Sequence, residues 1–168
     1  MSIQKQGKGF TIIEVVLVLA IAGLIFMMVF IALPALQRSQ RDTQRKNDLS
    51  RAQTAITSYA STNRGALPAD TNAAWATFLT QYLTPTASDS FVDPQGANTV
   101  TTPGATTYTF TRSITALNGV FDSGTNQNVI YFSEGYICGD GGAITAAGSR
   151  KVALRMYLEG GGTYCVNN

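Results

Sequence analysis

The chain has 168 residues, of which 45% are apolar and 13% are charged, and its net charge is +2. The charged share is about half that of an average soluble protein, which argues against a solvated cytoplasmic enzyme. A net charge of +2 is too small to indicate nucleic acid as a partner. The sequence has no histidine and shows no nucleophile–base pair or cluster of metal ligands, so we expect neither an enzyme nor a metal or cofactor site.

The N-terminal region predicts a membrane-spanning helix. Residues 1–9 are short and polar and include Lys5 and Lys8, whereas residues 15–36 contain no charge and no Ser or Thr. As a helix, 15–36 would span about 33 Å, enough to cross a hydrocarbon core of about 30 Å. A cleavable secretory signal has a shorter apolar stretch and a small-residue cleavage site, which 31–35 matches poorly. We therefore predict a retained helix with a cytoplasmic N-terminus.

The helical pattern continues beyond the apolar run, to about residue 63. An apolar stripe recurs at steps of three and four residues and predicts packing on a globular domain; its members are Leu49, Ala52, Ile56 and Tyr59. Charged side chains are expected elsewhere around this helix, among them Arg45, Lys46, Asp48 and Arg51. Together with Arg38, Arg41 and Asp42 they give 38–51 a charge of +3, which runs against the positive-inside rule if this segment lies outside.

Local signals then indicate where the long helix ends and a short one begins. Gly65 is predicted as the glycine just beyond the long helix, because Pro68 follows it closely. Asp70 is predicted to cap a short helix that carries four large apolar side chains, Trp75, Phe78, Leu79 and Tyr82.

The remainder of the chain reads as β-structure. Strands are predicted at 106–117, 129–138, 152–159 and 163–166, and 152–159 alternates so that one of its faces is apolar. Asn118-Gly119 predicts a type I′ hairpin turn after the first of them. The fold class is therefore α+β, one long helix laid against an antiparallel sheet of about four strands.

Two cysteines, Cys138 and Cys165, lie in this β-rich part. We predict that they form one disulfide in an oxidising compartment, and two free thiols are the alternative.

The most informative segment joins the basic start to the apolar run. Residues 8–14 read Lys-Gly-Phe-Thr-Ile-Ile-Glu, directly before the membrane-spanning stretch. This arrangement resembles the class III signal of type IV prepilins and pseudopilins. The resemblance implies cleavage between Gly9 and Phe10 by a membrane prepilin peptidase, N-methylation of the new Phe10 amine, and retention of the helix in a filament.

The resemblance also gives roles to single residues of the apolar helix. Glu14 is an acid inside an apolar segment, so it either lies at the membrane edge or has a cationic partner. The resemblance favours the second, with Glu14 of one subunit pairing with the Phe10 amine of a neighbour and setting the register of assembly. Gly23 and Pro34 disfavour regular helix; they are either tolerated kinks or, as in type IV pilins, the limits of a stretch that loses helical order in the filament.

One further motif has two interpretations. Asp93-Pro94-Gln95-Gly96 is what an ordinary type I turn prefers, and we favour that interpretation. It also resembles a turn near a calcium site in pseudopilins, which leaves a contribution of Asp93, or of Asp140, to such a site open.

These observations predict four segments. They are a cleaved leader (1–9), a transmembrane and filament-core helix (10–36), its amphipathic continuation (37–64) and an extracellular β-rich head (65–168). The expected function is a structural subunit of a type IV pilus or related filament. Its partners would be other pilins, the prepilin peptidase, the inner-membrane assembly machinery and, before assembly, membrane lipid. The alternatives are a pseudopilin of type II secretion and a single-pass, membrane-anchored binding module.

Overall fold

The fold is described from a computed structural model, which describes residues 9–83, 91–94, 108–122 and 128–168. The leader lysines, Gln95-Gly96 and part of the first predicted strand lie outside these residues. Within these residues, two α-helices and six strands follow in chain order: α1 (Ile12–Thr62), α2 (Asn72–Phe78), β1 (Thr109–Arg112), β2 (Val129–Glu134), β3 (Tyr136–Cys138), β4 (Ile144–Ala146), β5 (Val152–Tyr157) and β6 (Thr163–Asn167). The chain forms two compact units, Met1–Gln37 and Arg38–Asn168.

Helix α1 confirms the long helix predicted for 10–63. Pro34 lies inside it without ending it. Within the C-terminal unit, three members of the predicted stripe are buried, with Leu49 and Ala52 0% exposed and Ile56 1% exposed; the fourth, Tyr59, is partly buried against the core. The part of α1 that belongs to the C-terminal unit therefore packs there through the apolar side chains whose spacing the sequence shows.

The end of α1 differs from the prediction by one residue. The Gly65 N–H donates to the Ala60 carbonyl at 2.7 Å, a six-to-one bond that makes Arg64 the first residue beyond the cap. Arg64 has φ 57° and Gly65 has φ 83°. The prediction that Gly65 occupies the first position is wrong, because the chain takes two consecutive left-handed residues and the first is an arginine.

Helix α2 is capped by Thr71 and not, as predicted, by Asp70. The Thr71 hydroxyl accepts from the Ala74 N–H at 3.2 Å. The carboxylate of Asp70 instead accepts from Arg112 Nε at 2.5 Å, on β1. One turn of π-helix at Leu79–Leu83 continues α2.

The main sheet has four strands in the order β1-β2-β5-β6. The β2–β5 and β5–β6 pairs are antiparallel, as predicted, but β1 and β2 are parallel, with Thr109 opposite Val129. The sheet is therefore mixed, and the antiparallel hairpin predicted at Asn118-Gly119 is wrong. A parallel partner needs a connection that returns along the sheet, which a two-residue turn cannot supply.

A small second sheet accounts for the rest of the predicted 129–138 strand. Gly135, with φ 80°, interrupts that run. The residues after it form β3, which pairs antiparallel with β4.

The core lies between the main sheet and the helices. Trp75 of α2 stacks on Phe132 of β2, with 4.5 Å between ring centroids. The core cluster includes Leu49, Ala52, Ile56, Trp75, Phe78, Leu79, Leu83, Phe91, Tyr108, Phe110, Ile130, Phe132, Val152, Leu154 and Met156. Strand β5 was expected to be apolar on one face, but all six of its residues are buried. Both faces of this strand are thus covered.

Candidate functional site

The predicted cleavage position lies in exposed backbone just before α1. Gly9 and Phe10 are not helical, and the Phe10 side chain is 89% exposed. A Cβ at Gly9 would meet no atom within 4 Å. Within the described part of the chain, the peptide bond between Gly9 and Phe10 is therefore accessible to a partner.

Thr11 and Glu14 form a capping box at the start of α1. The Thr11 N–H and hydroxyl both donate to Glu14 Oε2, at 2.9 and 2.8 Å, and the Glu14 N–H donates back to Thr11 Oγ1 at 3.4 Å. The Thr-x-x-Glu spacing is the sequence signal for this arrangement, although the cap was not among the features predicted above. In the isolated chain, the Glu14 carboxylate thus has Thr11 as its partner.

The surface of α1 between Ile12 and Leu36 is apolar and open. Its large apolar side chains are 43–86% exposed. By its length and composition α1 could cross a membrane. None of its most apolar segment is buried by other described residues. So large an exposed apolar surface requires a cover of lipid or of other apolar helices. Gly23 leaves open space on this surface, with nothing within 4 Å of a Cβ placed there.

Residues 4–30 match one protein-family model, the prokaryotic N-terminal methylation motif. The chain carries this motif. The match takes in the Gly9–Phe10 bond, the Thr11–Glu14 cap and most of the apolar run. It confirms the class III signal, is consistent with a type IV pilin-like protein, and points to a structural pilin-type protein rather than an enzyme. No curated protein and no solved structure matches the chain.

Beyond the methylation motif, the C-terminal unit contains a cluster of charged side chains around Arg45 of α1. We call it the Arg45 cluster, and its members are Arg41, Asp42, Arg45, Asp93 and Glu159. The Arg45 side chain is 0% exposed. It donates from Nε and Nη2 to the two oxygens of Asp93, at 2.7 and 2.9 Å, and from Nη1 to Asp42 and Glu159, at 3.1 and 3.4 Å. This guanidinium therefore brings together three carboxylates from distant parts of the chain.

The Arg45 cluster also fixes the turn between β5 and β6. Asp42 accepts from the backbone N–H groups of Glu159 and Gly160, both at 2.8 Å. Arg41 donates from two nitrogens to the Glu159 carboxylate, at 2.7 and 2.5 Å. These hydrogen bonds from Arg41 hold the pKa of Glu159 below its ordinary value. The cluster therefore ties the β5–β6 turn to α1.

The cluster corrects one expectation about the helix charges. Arg45 was placed away from the apolar stripe, but it precedes Leu49 by four residues and lies buried in line with it. Asp93 and Glu159, which are remote in sequence, offset two of the three excess positive charges in the folded unit. The position of Arg45 on the stripe and its spacing of three residues from Asp42 were signals in the sequence, whereas Asp93 and Glu159 had none.

Asp48 is also buried and not simply on the outer side of the helix. Its carboxylate accepts from the Tyr108 hydroxyl at 3.1 Å and from Arg51 at 3.5 Å. Burial raises the pKa of Asp48 despite these donors. Burial also raises the pKa of Tyr108, so this phenol stays protonated as the donor.

The Asp93 carboxylate has a cation, and it is the Arg45 guanidinium. Asp93 is 2% exposed, and both its oxygens accept from Arg45. Asp140, in contrast, is exposed at the start of a short 3₁₀-helix, Asp140–Gly142. Across the part of the chain that the structure describes, no group of three or more acidic, cysteine or histidine side chains could hold a metal ion.

Cys138 and Cys165 are joined by a disulfide, the pairing that the sequence predicts, with their Cα atoms 5.9 Å apart. Cys138 lies on β3 and Cys165 on β6, so the bond links the two sheets. The Cys138 N–H also donates to Asn167 Oδ1 at 3.3 Å. The disulfide thus fastens the small sheet to the edge strand of the main sheet.

A second buried arginine, Arg155, lies on the face of β5 opposite to the core residues Leu154 and Met156. It is 0% exposed, and its acceptors are the carbonyls of Ser113, Thr115 and Gly142 and the Ser133 hydroxyl, at 2.7–3.0 Å. Burial lowers the pKa of this guanidinium. By binding these carbonyls, Arg155 holds two irregular segments against the sheet, which explains why that face is covered.

Proposed function

We propose that this protein is a structural subunit of a type IV pilus or related filament, processed between Gly9 and Phe10 and assembled through α1. The methylation motif at residues 4–30 is the observation that carries the proposal. The exposed Gly9–Phe10 bond and the open apolar surface of α1 support it. A subunit made for a filament presents such a surface before assembly and buries it afterwards.

Processing would convert a membrane precursor into an assembly-competent subunit. A prepilin peptidase removes residues 1–9 on the cytoplasmic side, and the new amine of Phe10 is N-methylated. Until assembly, lipid covers α1, and the inner-membrane machinery and other pilins are the next partners. The C-terminal unit then lies outside the cell, in the filament at the cell surface.

Glu14 would act at the step of assembly. Its carboxylate is exposed and has only the local Thr11 contacts among those described. A second subunit can offer it the Phe10 amine, a charged donor that binds a carboxylate more strongly than a neutral one. Glu14 then sets axial register, and the stretch between Gly23 and Pro34 is where the packed helix can lose regular order.

The test of processing is the intact mass of the protein in fibres sheared from cells. We expect a chain that begins at Phe10 and carries one methyl group. A chain that begins at Met1 or after Ala35 would overturn the proposal.

The test of assembly is Glu14→Gln, because a capping box accepts Gln as well as Glu and the substitution removes only the charge. We expect the variant to insert and to be cleaved, while the yield of sheared fibre falls at least tenfold. Glu134→Gln, which makes the same change in charge on β2, is the control. Normal fibre yield from Glu14→Gln would show that the charge has no role in register.

The methylation motif is equally consistent with a pseudopilin of type II secretion. In that case the chain is processed in the same way but does not accumulate in surface fibres. The same sheared-fibre preparation separates the two, since a pseudopilin would be cleaved at Gly9 and absent from it.

A further inference from the structure

The geometry around the cleavage position assigns a role to Thr11. Three hydrogen bonds that involve a side chain join Thr11 and Glu14. The first helical carbonyl acceptor is Thr11 O, which receives the Glu14 N–H at 3.1 Å and the Val15 N–H at 3.4 Å. Thr11 is therefore the N-cap of α1. The Gly9–Phe10 bond ends one residue before this cap, in non-helical chain.

We propose that Thr11 is a positioning residue for processing: by capping α1 at a fixed place, it holds the scissile bond in accessible, non-helical backbone at a constant distance from the membrane-spanning helix. The inference rests on the proposed function. Thr11 acts through the start of the helix and not by touching the reacting atoms.

The chemistry of processing explains why such positioning matters. In the hydrolysis, water adds to the Gly9 carbonyl, the bond from that carbon to the Phe10 nitrogen breaks, and the departing amine takes up a proton. A bond inside a helix has its carbonyl hydrogen-bonded and its chain coiled, so the carbonyl is not free to be attacked. The bond must therefore stay outside the helix.

Apart from the Thr11–Glu14 capping box, nothing that the structure shows at this end of α1 defines where the helix starts. The residues after Thr11 are apolar and suited to helix, and the first N–H groups of a helix have no partners of their own. Thr11 supplies one acceptor for them, and the Glu14 carboxylate supplies one for the Thr11 N–H. Without the hydroxyl, the first turn frays or the helix extends toward Phe10, and either change moves the scissile bond relative to the helix.

The matched variants are Thr11→Val, which keeps the shape and loses the hydroxyl, and Thr11→Ser, which keeps the hydroxyl. Full-length precursor in detergent micelles is incubated with a prepilin peptidase, and the rate of appearance of the Phe10 chain is followed by mass spectrometry. We expect Thr11→Val to lower kcat/KM about 2- to 30-fold, the range that corresponds to the 0.5–2 kcal/mol of an N-cap. Thr11→Ser should stay within about twofold of wild type.

A second measurement needs no peptidase. Amide hydrogen exchange of the uncleaved precursor should be faster at position 11 and at Glu14 in Thr11→Val and unchanged in Thr11→Ser. Equal cleavage rates for Thr11→Val and wild type would overturn the role of Thr11 while leaving the proposed function intact. Equal slowing by both variants would also overturn it, because the hydroxyl would not be the cause. Failure of the wild type to be cleaved at Gly9 would instead overturn the proposed function.

Discussion

Arg45 lies on the same face of α1 as Leu49 and Ala52 and places a full positive charge among apolar side chains. Removing such a charge from water is costly, and only close, well-directed acceptors offset that cost. Asp93 provides a two-point contact, and Asp42 and Glu159 provide further oxygens. The same arginine lies 4.8 Å from the ring centroid of Phe121, a favourable contact for a cation.

Replacing Arg45 by Met should strongly destabilise the C-terminal unit, because it leaves the buried Asp93 carboxylate without its guanidinium. We expect the free energy of unfolding to fall by about 3–5 kcal/mol. The measurement is urea denaturation of the full chain in detergent, followed by tryptophan fluorescence, since Trp75 lies in the core.

Arg38→Met is the matched control, because the Arg38 side chain is 62% exposed and 3.8 Å from Glu159. An exposed pair of this kind contributes about 0–1 kcal/mol, so this variant should unfold nearly as wild type does. Similar losses in both variants would show that burial of Arg45 is not what matters.

At the residue scale, the burial of periodic apolar positions could be predicted from the sequence, whereas the burial of a single charged residue could not. Leu49, Ala52 and Ile56 form a periodic pattern, and the structure confirms that they are buried. Arg45 extends that pattern but is charged, and charge normally indicates solvent. Its partner Asp93 is 48 residues away, so no local rule could connect them.

Among the elements, the β5–β6 turn is tied to α1 by a carboxylate whose pKa is lowered. Arg41 holds the pKa of Glu159 below its ordinary value of 4.5. Because the pKa is lower in the folded than in the unfolded chain, ionised Glu159 stabilises the fold above pH 4.5. That contribution is lost as the pH falls from 4.5 through the folded value.

Glu159→Gln should therefore be less stable than wild type at pH 7, and the difference should shrink as the pH falls below 4.5. Urea denaturation of both proteins between pH 7 and pH 3 measures this difference. Burial raises the pKa of Asp48, so its contribution to the free energy of unfolding changes with pH in the opposite direction. That contribution is the same in both proteins and cancels from the difference. A difference that stays constant with pH would contradict the assignment.

The disulfide belongs to the same scale, since it links β3 to β6 across a sequence separation of 27. Replacing both Cys138 and Cys165 by Ser should lower the free energy of unfolding by about 3.5 kcal/mol on the chain-entropy model. The wild type treated with reductant should match the double variant in denaturation experiments. An unchanged midpoint for the double variant would show that the hydrogen bonds between strands suffice.

The elements themselves were predicted better than their arrangement. Most β-rich runs contain strands, because alternation and β-branched residues are local signals. The parallel pairing of β1 with β2 was missed because strand direction depends on the path of the chain between them. Gly135 divides one predicted strand into two. This division was not predicted, because a single glycine in a β-rich run does not by itself indicate that the chain moves to another sheet.

For the whole molecule, the proposed cleavage after Gly9 should change the charge as well as the length. Loss of residues 1–9 removes two of the 12 basic side chains and none of the 10 acidic ones, so the side-chain charge falls from +2 to 0. Isoelectric focusing of precursor and mature chain should show the mature form at lower pH. Identical focusing positions would contradict cleavage after Gly9.

The hydrogen bonds between α1 and the β5–β6 turn also determine how the C-terminal unit responds to a pulling force. Tension along α1 enters the C-terminal unit through Arg38, the first residue of that unit. Within the next two turns, Arg41, Asp42 and Arg45 pass part of this load to Glu159 and Gly160. These residues follow β5, which is hydrogen-bonded to a strand on each side. We expect the C-terminal unit, when pulled through α1, to resist as a sheared inner strand does, and not to peel open from an edge.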